Sequence, residues 1–139
     1  MSRTFFLKIP SNYSFLPAVV ELSHRIFLYA GLDENQTHLL ALAVEEAITN
    51  AIKHSYKGDQ NQWIEVEFTI KFKEEVQIKV RFGGEPIDIP QEEFDIESAA
   101  KERKRGGLGL QIMRKATDEL CYGKEGEVNW WLLKKKLKG

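Results

Sequence analysis

The sequence contains a single cysteine, Cys121, in 139 residues. One thiol cannot close an internal disulfide, and no second thiol stands ready to share a zinc ion. Net charge is only −1, from 20 basic and 21 acidic residues. Bulk charge therefore draws the chain to neither nucleic acid nor membrane. No apolar run approaches the roughly 20 residues of a membrane helix. The N-terminus, with Arg3 and Lys8 around a short apolar patch, lacks the apolar core of a signal peptide. Repeats and low-complexity stretches are also missing. These absences leave an ordinary globular domain spanning residues 1–139, and a cytoplasmic location is the expectation.

What is present has clear periodicity. Thr4–Ile9 is β-branched and aromatic and ends at Pro10, which predicts an edge strand. Val19, Leu22, Ile26 and Tyr29 recur at helical spacing until Gly31. Asp33 with Gln36 forms a capping-box pattern that opens a second helix, running to about Ser55. Ile64–Phe72 and Val76–Phe82 alternate apolar with polar residues, as an antiparallel pair with one buried face does. Gly83–Arg105 is irregular. Gly106 and Gly107 then lead into a helix carrying Leu110, Met113 and Leu120, followed by strands near Leu120–Lys124 and Val128–Leu133. The order predicts an α+β fold, a two-layer sandwich of a mainly antiparallel sheet with helices on one face.

Three short stretches carry chemistry. In AVEEAITNAIKH, residues Ala43–His54, the polar residues Glu46, Asn50 and His54 are spaced four apart. Helical geometry stacks such residues on one face, beside an apolar stripe of Val44, Ala47 and Ala51. A carboxamide oxygen is a hard ligand suited to Mg²⁺, and a carboxylate one turn away can take a proton. The plain alternative is a solvated helix face. In Arg105-Gly-Gly-Leu-Gly-Leu110, glycines permit close backbone approach, and the helix start offers free N–H groups to phosphate. Phe82-Gly83-Gly84 ends a strand and, taken alone, reads as a tight turn.

In this order the three stretches resemble the GHKL ATPases, which share the Bergerat ATP-binding fold. EEAITNAIKH is similar to the N box and RGGLGLQIM to the second glycine box. Within that group, the length, LALAVEEAITNAIKHSYKG and GGLGLQIMRKATDEL most resemble the anti-sigma-factor serine kinases. The resemblance implies ATP and Mg²⁺ as cofactors. It makes Glu46 a general base toward a serine hydroxyl on a partner, and Asn50 the Mg²⁺ ligand. Gly84, Gly106, Gly107, Leu108 and Gly109 would cradle the nucleotide. Arg105 would balance charge on the transferred phosphoryl group, and Lys53 and His54 would lie near the phosphates. A buried or helix-capping role is the other reading of His54. The lid charges Lys101, Arg103 and Lys104 either help hold nucleotide or form a solvated run. A sigma factor and an anti-sigma antagonist are the implied partners, with a homodimer as the assembly.

Phe82 departs from the family pattern. The first glycine box carries an aspartate there that accepts a hydrogen bond from adenine. A phenyl ring cannot, and an unpaired amine costs about 1–3 kcal/mol, roughly ten- to a hundredfold in affinity. Phe82 can instead stack on a base, plug the pocket or pack in the core. The alternative function is thus a non-catalytic binding module on the same fold. Asn129 departs more mildly, standing where the family often has threonine. Nucleic-acid binding through Lys134, Lys135, Lys136 and Lys138 fits poorly with the charge balance; a solvated terminal strand and tail explains them.

Overall fold

The computed structural model describes residues 2–87 and 109–137. Strand β1 spans Ser2–Pro10, helix α1 Leu16–Ala30 and helix α2 Glu34–Asn50. Strands β2 and β3 are Trp63–Lys71 and Glu75–Phe82; helix α3 is Gly109–Ala116. Strands β4 and β5, Glu119–Glu125 and Val128–Lys136, complete the order. The sheet runs β1-β2-β3-β5-β4, and every neighbouring pair is antiparallel.

The helices cover one face of this sheet. Ile64, Val66, Phe68 and Ile70 of β2 are buried, as are Val76, Ile78, Val80 and Phe82 of β3. Their alternating neighbours are half-exposed. Phe27 of α1 packs on Phe68 with ring centroids 6.1 Å apart, fixing α1 over the sheet. Both expected helix signals operate. Gly31 takes φ +112° at the end of α1, and its N–H donates to Phe27 and Leu28 carbonyls. At α2, Asp33 Oδ1 accepts from Gln36 N–H at 2.7 Å, and Gln36 reaches back to Asp33 N–H.

Two expectations need correction. The second helix does not stay α-helical to Ser55. Beyond Asn50 it widens into a π-helical turn, Ala51–Ser55, with Tyr56 N–H donating to Ala51 O at 2.9 Å. Leu120 does not belong to α3 but to β4. The helix stops at Ala116 because the backbone after it is claimed by the sheet. Asp118 N–H donates to Lys134 O at 2.8 Å, and Asp118 Oδ2 accepts from Lys136 N–H at 2.6 Å.

The reciprocal cap at α2 generates a stability prediction. Asp33→Ala should cost about 1 kcal/mol. That corresponds to roughly 3 °C in melting temperature for a chain of this size, readable by calorimetry.

Candidate functional site

Glu46 and Asn50 lie on the last two turns of α2, on a half-buried line beside a fully buried stripe. That stripe comprises Ala43, Val44, Ala47, Ile48 and Ala51. Small side chains there let α3 pack closely against α2. The two helices come close at Gly109, the first residue of α3. A β-carbon on Gly109 would stand 2.5 Å from Glu46 Oε2 and 3.6 Å from Asn50 Nδ2. The third glycine of the GGLG stretch thus lies directly against the carboxylate and the carboxamide. Two sequence stretches some 60 residues apart meet at one point, where any side chain larger than glycine's would push the Glu46 carboxylate aside.

Electrostatics single out Glu46. Its carboxyl is pushed above the usual carboxylate range, first by burial and then by the neighbouring Glu45 charge; Lys53 pulls it partly back. A raised carboxylate is better matched to taking a proton near neutrality than an exposed one. Lys53 is exposed but acts on Glu46 through space. His54 is also exposed, so it is not a buried core histidine. The π-helical turn explains its placement. With i to i+5 bonding, the four-residue spacing after Asn50 no longer stacks on the α-helical line.

The strand end Phe82–Gly84 lies against the π-helical turn that follows Asn50. Phe82 is fully buried and faces the core, opposite Ile64 and Asn129. Base stacking by Phe82 is therefore ruled out by its placement; it packs in the core. Gly84 takes φ +79°, and a β-carbon there would collide with the Ser55 carbonyl. The neighbouring Glu85 N–H donates to that same carbonyl at 3.0 Å. Gly84 thus fastens the strand end onto the π-helical turn below Asn50. Arg105, Gly106, Gly107 and Leu108, with Lys101, Arg103 and Lys104, lie outside the described residues.

Sequence reasoning singled out Asn129 only as a mild departure from the family pattern and missed its part, with Tyr122 and Tyr56, in holding this strand end. Asn129 is completely buried; its Nδ2 donates to Gly83 O at 3.1 Å and Gly84 O at 3.3 Å. Its Oδ1 accepts from Tyr122 Oη at 2.9 Å, and Tyr122 Oη accepts from Ile87 N–H at 2.8 Å. Gly83 N–H donates to Tyr56 Oη at 2.6 Å, which itself donates to Trp63 O at 2.6 Å. Asn129 alternates in phase with Trp131 and Leu133. That phase was the available signal, since a buried amide demands partners.

The described residues contain no cluster of three or more His, Cys, Asp or Glu side chains able to hold a metal alone. The Asn50 carboxamide instead offers an oxygen ligand, with the Glu46 carboxylate one turn away on the same helix. This suits Mg²⁺, which usually takes one or two protein ligands and completes its shell with phosphate and water. The residues therefore fit a Mg²⁺–nucleotide pair.

The histidine kinase-like ATPase domain model matches residues 9–133. The chain belongs to that family. Among its relatives is the serine-protein kinase RsbW of Listeria monocytogenes serovar 1/2a, 31% identical over 103 residues. That match covers 70% of this chain and 65% of the Listeria protein, so the chain spans just under two thirds of that relative. The serine-protein kinase RsbW of Bacillus subtilis is 26% identical over 119 residues, covering 82% and 74% of the two chains. The fold is shared with solved structures. The RsbU and RsbW domains of Rv1364c from Mycobacterium tuberculosis align with TM-score 0.69 at 14% identity, over 97% of this chain and 32% of that one. The SiaB–SiaC complex from Pseudomonas aeruginosa aligns with TM-score 0.67 at 15% identity, over 96% and 88%. As in these relatives, the layout is an antiparallel sheet under helices; no helix of the described residues is long and apolar enough to cross a membrane.

Glu46 carries a stability consequence with a definite sign. Its raised value means that the folded state binds the proton more tightly than the unfolded state. Its favourable contribution is present below the ordinary carboxylate range and is lost as pH rises through the raised value. Glu46→Gln should therefore melt higher than the parent at neutral pH, with the gap closing toward about pH 4. A melting series across pH reads this directly.

Proposed function

We propose that this chain is an anti-sigma factor with ATP-dependent serine kinase activity. It binds a sigma factor and phosphorylates a serine on an anti-sigma antagonist, and it acts as a homodimer in the cytoplasm. The observation that carries this reading is that the Glu46 and Asn50 side chains fill the space against Gly109 where a β-carbon would stand. Family membership and the similarity to RsbW serine-protein kinases support it.

In this reading Glu46 takes the proton from the serine hydroxyl, aided by its raised affinity for protons. The Asn50 oxygen would hold Mg²⁺, and bound ATP supplies the phosphoryl group. Lys53 holds positive charge near the carboxylate, and Arg105 would balance charge on the group in transfer. Gly106, Gly107, Leu108 and Gly109 would lay backbone N–H groups against phosphate, as a helix start permits. Gly84, Tyr56 and Asn129 act indirectly, by keeping the strand end and the π-helical turn in register. Phosphoryl transfer needs mainly positioning and electrostatics, so this set suffices. Phosphorylation adds charge to the antagonist and weakens its grip through repulsion and desolvation.

A second reading is favoured by one specific observation. Phe82 is fully buried where the family's adenine-binding aspartate would stand. A non-catalytic module that sequesters a partner without nucleotide would tolerate that residue.

Phosphorylation of the antagonist separates the two. Incubated with Mg·ATP and the small antagonist proteins of its own genome, the chain should modify one of them on serine. Glu46→Gln should slow that step roughly 10²–10⁴-fold. Gly109→Ala should also slow it, because the new methyl displaces the Glu46 carboxylate while most of the fold stays intact. Serine modification at an unchanged rate in Glu46→Gln would remove Glu46 from the mechanism. No modification of any antagonist would favour the second reading.

A further inference from the structure

The side chains at the strand end Phe82–Gly84 are already engaged. Phe82 has no polar atom and is buried. Asn129 Nδ2 is committed to the Gly83 and Gly84 carbonyls, and its Oδ1 accepts from Tyr122 Oη. Tyr56 Oη lies between Gly83 N–H and the Trp63 carbonyl. One hydroxyl beside this strand end is different. Ser55 is 3% exposed, and its Oγ has no hydrogen-bond partner. The Ser55 carbonyl accepts from Glu85 N–H at 3.0 Å and fills the place where a Gly84 β-carbon would stand.

The π-helical turn accounts for this hydroxyl. In an α-helix a serine hydroxyl can bond the carbonyl four residues back. Here that carbonyl, on Ala51, accepts from Tyr56 N–H. The widened turn leaves His54 exposed and Ser55 buried. With i to i+5 bonding, a residue five on from Asn50 lies closer to its line than in an α-helix. Two other buried side-chain atoms among the described residues lack partners, Thr37 Oγ1 and Trp131 Nε1. Thr37 lies in the first turn of α2, about 20 Å along the helix from Asn50. An indole N–H only donates. Of these three, Ser55 Oγ alone lies beside the strand end and can both accept and donate.

We infer that the Ser55 hydroxyl reads the edge of the purine base in place of a carboxylate at position 82. The inference rests on the nucleotide site of the proposed function and names the residue that sets its base specificity. The chemistry of the two groups differs. An ionised carboxylate only accepts, so it selects the 6-amino group of adenine and repels the 6-carbonyl of guanine. A hydroxyl rotates to suit its partner and does both. Toward adenine it accepts from the amine and donates to ring N1. Toward guanine it accepts from the N1–H and donates to the carbonyl. The site therefore takes ATP and GTP alike, while a purine without a 6-substituent loses one of the two bonds. Closed off from solvent, the hydroxyl gains from the base a pairing that folding alone leaves unmade.

Calorimetric titration with Mg²⁺ and ATP, GTP or purine riboside triphosphate, on the parent and on Ser55→Ala, tests this. The parent should bind ATP and GTP within about threefold of each other, and purine riboside triphosphate roughly tenfold more weakly. Ser55→Ala should bind all three alike, at the weakest level. Without nucleotide it should melt no lower than the parent, because it removes a hydroxyl that has no partner. A serine kept for folding alone would instead lower the melting temperature when replaced. A parent that favours ATP over GTP by about a hundredfold would overturn the inference. So would a Ser55→Ala chain that keeps the parent's preferences; both results leave the nucleotide site standing. A parent that binds none of the three nucleotides would overturn the inference together with the ATP reading on which it rests.

Discussion

The close approach of α3 to α2 at Gly109 is the constraint on which the rest of the site depends. A glycine at the start of α3 leaves the Glu46 carboxylate in place, beside the buried stripe of α2 that includes Ala43 and Ala47. The approach requires α2 to be aimed correctly, which the capping box at Asp33 and the left-handed cap at Gly31 secure. It also places a carboxylate in a partly desolvated pocket beside another acid, which is why Glu46 holds its proton more tightly than usual. Geometry and acid–base character are thus two effects of one packing decision.

The strand end beside the π-helical turn is held by hydrogen bonding rather than by apolar packing. Asn129, Tyr122 and Tyr56 hold the carbonyls and N–H groups of Gly83 to Ile87, where β3 leaves the sheet. Left unpaired in the interior, each such group would cost about 1–3 kcal/mol. A buried asparagine in β5 therefore secures the strand end while Phe82 fills the core beneath it. This architecture is consistent with either a nucleotide site lacking its usual carboxylate or a closed binding module. The burial of Phe82 also changes what a substitution there can mean. Phe82→Asp would bury an unpaired carboxylate and open a cavity, so lost stability would mask any gain in nucleotide recognition.

Much of the fold was legible in the sequence because local signals agreed with the global arrangement. Alternation in Ile64–Phe72 and Val76–Phe82 announced two half-buried strands, and Pro10 marked the edge. The capping pattern at Asp33–Gln36 was realised atom for atom. The failures came where tertiary demands overrode local pattern. Nothing in AIKHS signals a π-helical turn, which arises where the helix must meet the strand end at Gly84. It took His54 off the predicted line. Leu120 fits a helical period equally well, but the pairing of Asp118 with β5 claims it for a strand. The meeting of Glu46, Asn50 and Gly109 was accessible only through family resemblance, since spacing along one helix cannot reveal what packs against it.

The central claim is that Asn50, with Glu46 and the glycine segment, forms a working Mg²⁺–nucleotide site despite Phe82. Calorimetric titration of the parent and Asn50→Ala with ATP, in the presence and absence of Mg²⁺, tests it most directly. The account predicts micromolar binding by the parent that depends on Mg²⁺ and is largely lost in Asn50→Ala. Absence of any nucleotide binding by the correctly folded parent would contradict it and leave a partner-binding module in its place.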